Sequence, residues 1–367
     1  MRLSVDGGSG RSQRSVVRIE APARLHLGFV DVSGTLGRRF GSLGLTIEAF
    51  ATVLQLRRAD RFDAQGPQAE RAGAYLRRLL DDYDPPGSVA LQVLRAIPEH
   101  AGLGSGTQLA LAVGKGFGAL FDIPLCVSGL ASRLDRGARS GIGIGAFEQG
   151  GFVLDGGRAA SGSYPPVVAR LAFPAAWRVL LVFERARRGL FGEAERAAFR
   201  ALEDFPRHRA AHLAHLILMR LMPALAEEDF VSFSQALGEI QHTVGDYFAL
   251  AQGGRYASKS VGETLAWLES RGVAGVGQTS WGPTGFAVLD SEVRAHALLV
   301  EARERFGGAR GLEFAVVRGR NRGHCVSPTG SDEATGAPET SLRPPVSDRA
   351  DPDASSAGPH RWRNGGR

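Results

Sequence analysis

The sequence predicts an α+β protein of two domains, and three observations carry that expectation. The chain has 367 residues, 43% hydrophobic and 22% charged, enough to bury two cores of ordinary size. Apolar residues alternate with polar ones at a period of two mostly in the first half, as in half-buried strands, and recur at helical spacing mostly in the second. Hairpin-like strands come early and helices late, which separates the pattern from a doubly wound parallel sheet.

Taken in order, residues 1–15 are rich in Gly, Ser and Arg and read as a disordered leader. Val17, Ile19 and Ala21 alternate with Arg18 and Glu20, a strand signal. Gly28 to Gly44 reads as a glycine-rich loop, and Phe50 to Leu56 as a second strand. Residues 67–82 form an amphipathic helical pattern that stops before Pro85-Pro86. Val89, Leu91 and Val93 alternate again on the way to Pro98. A glycine-rich loop at 102–106 then opens into an apolar helix starting near Thr107. A helix over 127–137 is followed by a second glycine-rich loop, 137–151. Phe152 to Leu154 and Trp177 to Phe183 are strand-like. Helical periodicity runs through 190–203, 207–222, 227–250 and 258–271. Residues 272–289 read as strand, glycine turn, strand; a helix over 291–306 and a strand from Glu313 to Val317 complete the order. Domains are expected at 16–170 and 171–325, with a disordered tail at 326–367 where Pro, Ser, Gly, Asp and Arg dominate.

The formal charge of +6 suits phosphorylated molecules, nucleic acid or anionic lipid and does not choose among them. No basic surface interleaved with aromatics and no nucleic-acid motif accompanies it, so no nucleic-acid partner is expected. Cys126 and Cys325 stand far apart, outside any metal-like spacing. No apolar run approaches the ~20 residues that cross a bilayer and the start lacks a secretory apolar core, so a cytoplasmic location without membrane contact is expected. His208, His212 and His215 share a helical face, but no His-Glu-x-x-His pattern makes it a metal motif.

The feature that carries chemistry is Pro98-Glu-His-Ala-Gly-Leu-Gly-Ser-Gly-Thr-Gln108. Glycines at 102, 104 and 106 let the backbone approach a ligand closely, and the following helix offers unpaired N–H groups at its positive end. Together they suit phosphate or pyrophosphate. Ser105 and Thr107 add hydroxyls. No Gly-Lys-Ser/Thr follows, so this is not a Walker loop.

Three motifs in order resemble the GHMP kinases: Pro22-Ala-Arg-Leu-His-Leu-Gly28, Pro98 to Gln108, and Gly275-Val-Gly-Gln-Thr-Ser-Trp-Gly-Pro-Thr-Gly285. The resemblance covers roughly residues 17–320 and implies an N-terminal S5-like β/α domain followed by a C-terminal α/β sandwich-like domain. The departures are informative. Family kinases carry a catalytic Asp in a Gly-x-x-Ser-Gly-x-Asp stretch; here Ser140-Gly141 and Gly150-Gly151 fix the register, and the Asp position is Gly143. Glycine can neither activate nor orient a hydroxyl. Gly106-Thr107-Gln108 replaces the usual Ser-Ala-Ala.

With these substitutions the chain is similar to the family of β-ribofuranosylaminobenzene 5′-phosphate synthases. Ala23 to Asp31, Gly102 to Gln108, Arg139 to Gly143 and Gly277 to Thr284 match that family's signature. The resemblance implies a decarboxylating glycosyl transfer in methanopterin-type cofactor biosynthesis, between phosphoribosyl pyrophosphate and 4-aminobenzoate or 4-hydroxybenzoate. It implies Mg2+ and a homodimer, with an ATP-dependent GHMP-family kinase as the alternative. Such a reaction asks for anion binding and positioning. Gly102, Leu103, Gly104, Ser105, Gly106, Thr107 and Gln108 are the expected pyrophosphate loop. Arg24 and Arg139 are candidates for phosphate or carboxylate contacts, and His26 for a hydrogen-bond donor or acid. Ser140, Gly141, Gly143, Gln278, Ser280 and Thr284 are expected at the substrate, with Trp281 as an aromatic wall. Asp31, Asp135, Glu148 and Ser105 are candidates for metal or ribose contacts; for Asp31, the plain alternative is a turn former before Ser33-Gly34.

Overall fold

A computed structural model of the chain describes residues 15–160, 164–184, 202, 204–280, 282–308 and 311–328. Nearly all of the expected leader, of the helix over 190–203 and of the tail, together with Trp281, lie outside the described residues. The first sheet joins β1 (Val16–Ala21), β4 (Thr52–Ala59), β5 (Asp63–Gln65), β6 (Ser88–Arg95) and β14 (Cys325–Pro328) in the order β14-β1-β4-β6-β5. All its neighbours are antiparallel except β5 and β6. Helices α1 (Ala69–Tyr83) and α2 (Ser105–Phe121) cover one face, and Val17, Ile19, Leu54, Leu56, Leu91, Leu109 and Phe117 fill the core between them. α2 is apolar on nearly every side because other elements surround it.

The second sheet runs β2 (Arg24–Asp31), β3 (Arg38–Thr46), β7 (Phe152–Asp155), β9 (Val167–Leu171), with β8 (Arg158–Ala159) on β3. Between them in the chain lie α3 (Val127–Arg133) and α4 (Ile142–Glu148). The third sheet has the order β11-β12-β10-β13, from β10 (Arg178–Glu184), β11 (Val276–Gln278), β12 (Gly285–Leu289) and β13 (Leu312–Val317). Its strands are buried on both faces. Val179 and Leu181 point to one core and Leu180 and Val182 to another, the period of two expected of a strand. Helices α8 (Lys259–Ser270) and α9 (Glu292–Phe306) cover one face. The other face shares a core with β2, β3, α5 (Arg207–Leu216), a π-helical turn (Ile217–Leu221), α6 (Met222–Ala226) and α7 (Phe230–Gln252). Leu25 and Leu27 of β2 and Phe233, Leu237 and Ile240 of α7 belong to that one core, so the two halves are joined through packed apolar side chains. Each such side chain is worth roughly 1.5–3 kcal/mol when fully buried.

Three sequence expectations change. Gly28 to Gly44 is not a loop but most of the β2–β3 hairpin: Phe29, Leu43 and Leu45 are buried in the shared core, and glycine serves close packing. At Gly44 an added Cβ would lie 1.9 Å from Ile142 Cγ2. The stretch 137–151 is not all loop, since α4 occupies its centre despite Gly143 and Gly145. Packing outweighs propensity there: Cβ atoms at these positions would lie 3.0 Å from Thr107 Cγ2 and 2.7 Å from Val153 Cγ1. The chain also does not leave the fold at 326. Cys325 to Pro328 pairs with β1, returning the C-terminal part to the first sheet. Arg320, almost fully buried, ion-pairs with Glu20 and donates to the Gly323 carbonyl at 3.0 Å to hold this return.

Candidate active site

The three glycine-bearing motifs meet at one carbonyl. Arg24 Nη1 donates to the Gly102 carbonyl at 2.5 Å, and Thr279 Oγ1 donates to the same oxygen at 2.9 Å. Thr279 Oγ1 in turn accepts from the His26 backbone N–H at 2.8 Å. The first motif, on β2, and the third, after β11, thus grip the central loop from two sides. Gly102 and Gly104 both adopt left-handed φ, 80° and 84°. A Cβ at Gly102 would lie 2.4 Å from the Thr279 carbonyl oxygen, so the close approach of the loops requires glycine there.

α2 begins with Gly104 as its cap residue and no side chain bonded to its first N–H groups. The donors and the positive end of the helix dipole are therefore open to a ligand. Two guanidinium groups flank this turn. Arg24 lies against Gly104, where a Cβ would be 3.2 Å from its Cζ, and Arg71 of α1 lies over Gly106, where a Cβ would be 2.3 Å from its Nη2. Arg71 also meets Glu99 at 3.3 Å and Tyr75 Oη at 3.3 Å. Cations are ordinarily disfavoured at a helix N-terminus. Two of them beside uncapped N–H groups make a concentrated anion site. Arg71 was missed in the sequence, where it is one arginine among several on an amphipathic helix with no motif around it.

The departures from the kinase pattern have physical counterparts here. Gly106 leaves the space that Arg71 fills. Gly143, buried inside α4, leaves the space beside the Thr107 methyl group, and Gln108 Nε2 donates to the Gly143 carbonyl at 2.8 Å. The carboxylate near the start of α4 is Asp155, and its oxygens are engaged. Oδ2 accepts from Gly141 N–H at 2.8 Å and from Ser140 Oγ at 3.1 Å, while Oδ1 accepts from Gly157 N–H at 2.9 Å. Burial pushes its carboxyl above the usual range, and these hydrogen bonds oppose the shift. Ser140 and Gly141 therefore shape the entry to α4. Arg139 is half-buried in the segment leading into it.

His26 is buried, and its pKa is lowered to about 3, first by desolvation and then by the Arg24 charge. It is neutral at physiological pH, which removes the expected role of imidazolium acid. A β-bulge between His26 and Phe29 turns the Gly28 N–H, at φ 117°, onto His26 Nδ1 at 3.3 Å. An Nδ1 that accepts leaves the proton of the neutral ring on Nε2.

Gln278 is held on every side: Oε1 accepts from Ala257 N–H at 2.6 Å, Nε2 donates to the Ser280 carbonyl at 3.0 Å, and its N–H donates to Gln241 Oε1 at 2.9 Å. Gln241, also missed in the sequence, reaches back to the Leu27 carbonyl at 2.7 Å and ties α7 to β2. Thr284 is buried, and its carbonyl accepts from Thr279 N–H at 3.0 Å, closing the third loop.

Other expected site residues are not brought together. Asp31 ends β2, seven residues from Arg24 and about 20 Å along the strand. Its Oδ1 accepts from Ser33 N–H, Ser33 Oγ and Gly34 N–H at 2.9, 2.6 and 3.1 Å, the geometry of a turn former. Asp135 is exposed and paired with Arg78 at 2.7 Å. Glu148 sits at the far end of α4, where the Lys115 charge opposes the upward push of burial on its carboxyl. Lys115 is ten residues, about 15 Å, along α2 from Ser105, so Ser105 and Glu148 cannot share an ion. Among the described residues no group of three His, Cys, Asp or Glu side chains is arranged to hold a metal, and no helix is long and apolar enough to cross a membrane.

This architecture and its central loop define a protein of the GHMP-kinase fold. The family description "GHMP kinases N terminal domain" matches residues 70–151, and "GHMP kinases C terminal" matches residues 221–308. Homoserine kinase from Cytophaga hutchinsonii superposes with a TM-score of 0.60 at 15% identity, over 88% of this chain and 100% of that one. Mevalonate-3-kinase from Thermoplasma acidophilum does so with a TM-score of 0.58 at 11% identity, over 86% and 99%. Likeness at such identity speaks for the fold alone.

Sequence relatives are more specific. The chain is 32% identical over 323 residues to the β-ribofuranosylphenol 5′-phosphate synthase of Archaeoglobus fulgidus, covering 84% of this chain and 98% of the relative. It is 31% identical over 327 residues to the protein of the same name from Methanothermobacter thermautotrophicus, covering 83% and 97%. The chain belongs to this family of synthases.

Proposed function

We propose that the chain joins phosphoribosyl pyrophosphate to 4-hydroxybenzoate at the ring carbon bearing the carboxylate, a decarboxylating glycosyl transfer. The relatives are named for a ribofuranosylphenol. A phenol follows from 4-hydroxybenzoate, whereas 4-aminobenzoate would give the aminobenzene. The bond from the anomeric carbon to pyrophosphate breaks, and its electron pair leaves with pyrophosphate. The ring carbon, pushed by the para oxygen, forms the new C–C bond. The bond to the carboxylate then breaks, CO2 departs, and its electron pair restores the aromatic ring.

No side-chain base is needed at the reacting carbon, because CO2 leaves where a proton otherwise would. The single observation that carries the reading is the pairing of Arg24 and Arg71 across the uncapped first turn of α2. That cradle stabilises a leaving pyrophosphate, the charge that grows in the transition state. Glycine at 143, with Thr107 packed against it, speaks against the kinase alternative. Mg2+ would be held by the pyrophosphate's own oxygens together with the Ser105 hydroxyl, since the loop brings no carboxylate cluster. Bound there, it supplies charge neutralisation to the leaving group.

The test is incubation with phosphoribosyl pyrophosphate, Mg2+ and carboxyl-labelled 4-hydroxybenzoate. We expect labelled CO2 and pyrophosphate in equal amounts. No CO2, together with ATP turnover on a hydroxyl acceptor, would replace the proposal with the kinase reading.

A further inference from the structure

Along α1, Arg71, Tyr75, Arg78 and Asp82 recur at helical spacing on one face. The chain from Arg133 to Arg136 runs beside them in the opposite direction. Asp82 pairs with Arg133 at 2.8 Å, Arg78 with Asp135 at 2.7 Å, and the guanidinium carbon of Arg136 lies 5.4 Å from the centre of the Tyr75 ring. Tyr75 Oη accepts from Arg71 Nε at 3.3 Å, and Arg71 Nη2 lies over Gly106. The same segment continues through Arg139 and Ser140 into α4, where Gly143 meets Thr107. Contacts thus run unbroken from Arg136 to the first turn of α2. Arg71, Arg78 and Arg133 each have a carboxylate partner, Glu99, Asp135 and Asp82. Arg136 has none among the described residues and rests on the Tyr75 ring. Packing closes off its Nε, while its two Nη groups make no hydrogen bond among the described residues and reach solvent. A guanidinium supported by an aromatic ring, with both Nη groups open, is arranged to receive an oxyanion.

We infer that Arg136 holds the 5′-phosphate of the donor, as a second anion subsite beside the pyrophosphate loop. The inference rests on the synthase reading of that loop. Arg71 and Tyr75 are four residues apart, so Arg136 stands about one helical turn, roughly 6 Å along α1, from Arg71. In phosphoribosyl pyrophosphate about five single bonds of ~1.5 Å join the anomeric oxygen to the 5′ oxygen, a bent chain of about 6 Å. The donor therefore reaches both arginines, with its pyrophosphate at Arg71 and α2 and its ribose between them. Held at both ends, the anomeric carbon keeps one position relative to the loop, which is the positioning this transfer needs. The 5′-phosphate takes no part in the bonds that break or form. Its contact is made equally in the ground state and the transition state, so it acts on KM for the donor rather than on kcat.

Arg136→Gln tests the subsite, and Arg133→Gln is the control that removes the same charge from the same segment. Arg136 has no carboxylate partner among the described residues, so Tm should hardly move in Arg136→Gln. Equilibrium dialysis of labelled ribose 5-phosphate would be run against the full chain saturated with inorganic pyrophosphate. We expect its Kd to rise about ten- to a hundredfold in Arg136→Gln, the loss of a charge-assisted hydrogen bond, and to stay unchanged in Arg133→Gln. The Kd of pyrophosphate should be unchanged in both variants. In turnover, KM for phosphoribosyl pyrophosphate should rise in Arg136→Gln with kcat little changed. An unchanged Kd for ribose 5-phosphate in Arg136→Gln, an equal rise in both variants, or no binding of ribose 5-phosphate by the wild type would overturn the subsite. Release of CO2 by the wild type would then leave the synthase reading standing. Binding of ribose 5-phosphate that depends on Arg136, without CO2 release from the wild type, would overturn the synthase reading and leave the phosphate subsite.

Discussion

Replacing Gly143 probes whether the kinase position has been closed by packing. Gly143→Ala adds one methyl group, whose carbon would stand 3.0 Å from Thr107 Cγ2 and 3.3 Å from Thr107 Cβ. Alanine inside a helix gains about 0.8–1.0 kcal/mol over glycine. Overpacking a buried contact costs about 1–3 kcal/mol. The net expectation is a loss of about 0–2 kcal/mol. Thr107→Ser removes the methyl group that Cβ would strike, so the double variant should recover about 1 kcal/mol relative to the sum of the single effects. Gly143→Asp adds a carboxylate against the Thr107 side chain inside the buried part of α4. An unpaired buried carboxylate costs several kcal/mol or takes up a proton. Urea unfolding followed by circular dichroism would measure the wild type and the four variants, and ATP hydrolysis and CO2 release would be assayed beside it. Additive single effects with no loss in Gly143→Ala would refute the packing argument. Gain of ATP-dependent phosphotransfer in Gly143→Asp, at wild-type stability, would show that the site still accepts kinase chemistry.

Arg71→Ala should raise KM for phosphoribosyl pyrophosphate by ten- to a hundredfold, the value of a charge-assisted hydrogen bond of about 1.5–3 kcal/mol. Tm should hardly move, because the partly exposed Arg71–Glu99 pair is worth little; an unchanged donor KM would take Arg71 out of the site. His26 makes stability depend on pH. Its folded pKa lies below the unfolded value of 6.5, so the folded ring stays neutral where the unfolded one charges. Stability contributed by His26 is complete above about pH 6.5 and falls as pH drops toward 3, by about 1.4 kcal/mol per pH unit. Urea unfolding of wild type and His26→Gln at pH 7, 6 and 5 should show the variant gaining on the wild type as pH falls, and a constant difference would place His26 in water.

By itself the sequence determined the elements with strong local periodicity and the loop whose chemistry is local. Helix α2 was legible because a glycine loop opens directly into an apolar run, and α1, α7, α8 and α9 because their apolar residues recur at helical spacing. Thr107, Gln108 and Gly143 were visible as departures from a kinase pattern, without the reason for them. Only the tertiary structure decided that Gly143 makes room for Thr107 and Gly106 for Arg71, since neither contact is within reach along the chain. It also turned glycine-rich stretches into β2–β3 and α4, because burial against distant side chains outweighs local propensity. Asp31 and Glu148 went the other way. Their residue type suited a metal site, but strand and helix geometry carries them away from the loop. His26 needed both levels: the sequence placed it beside Arg24, and burial decided that it is neutral.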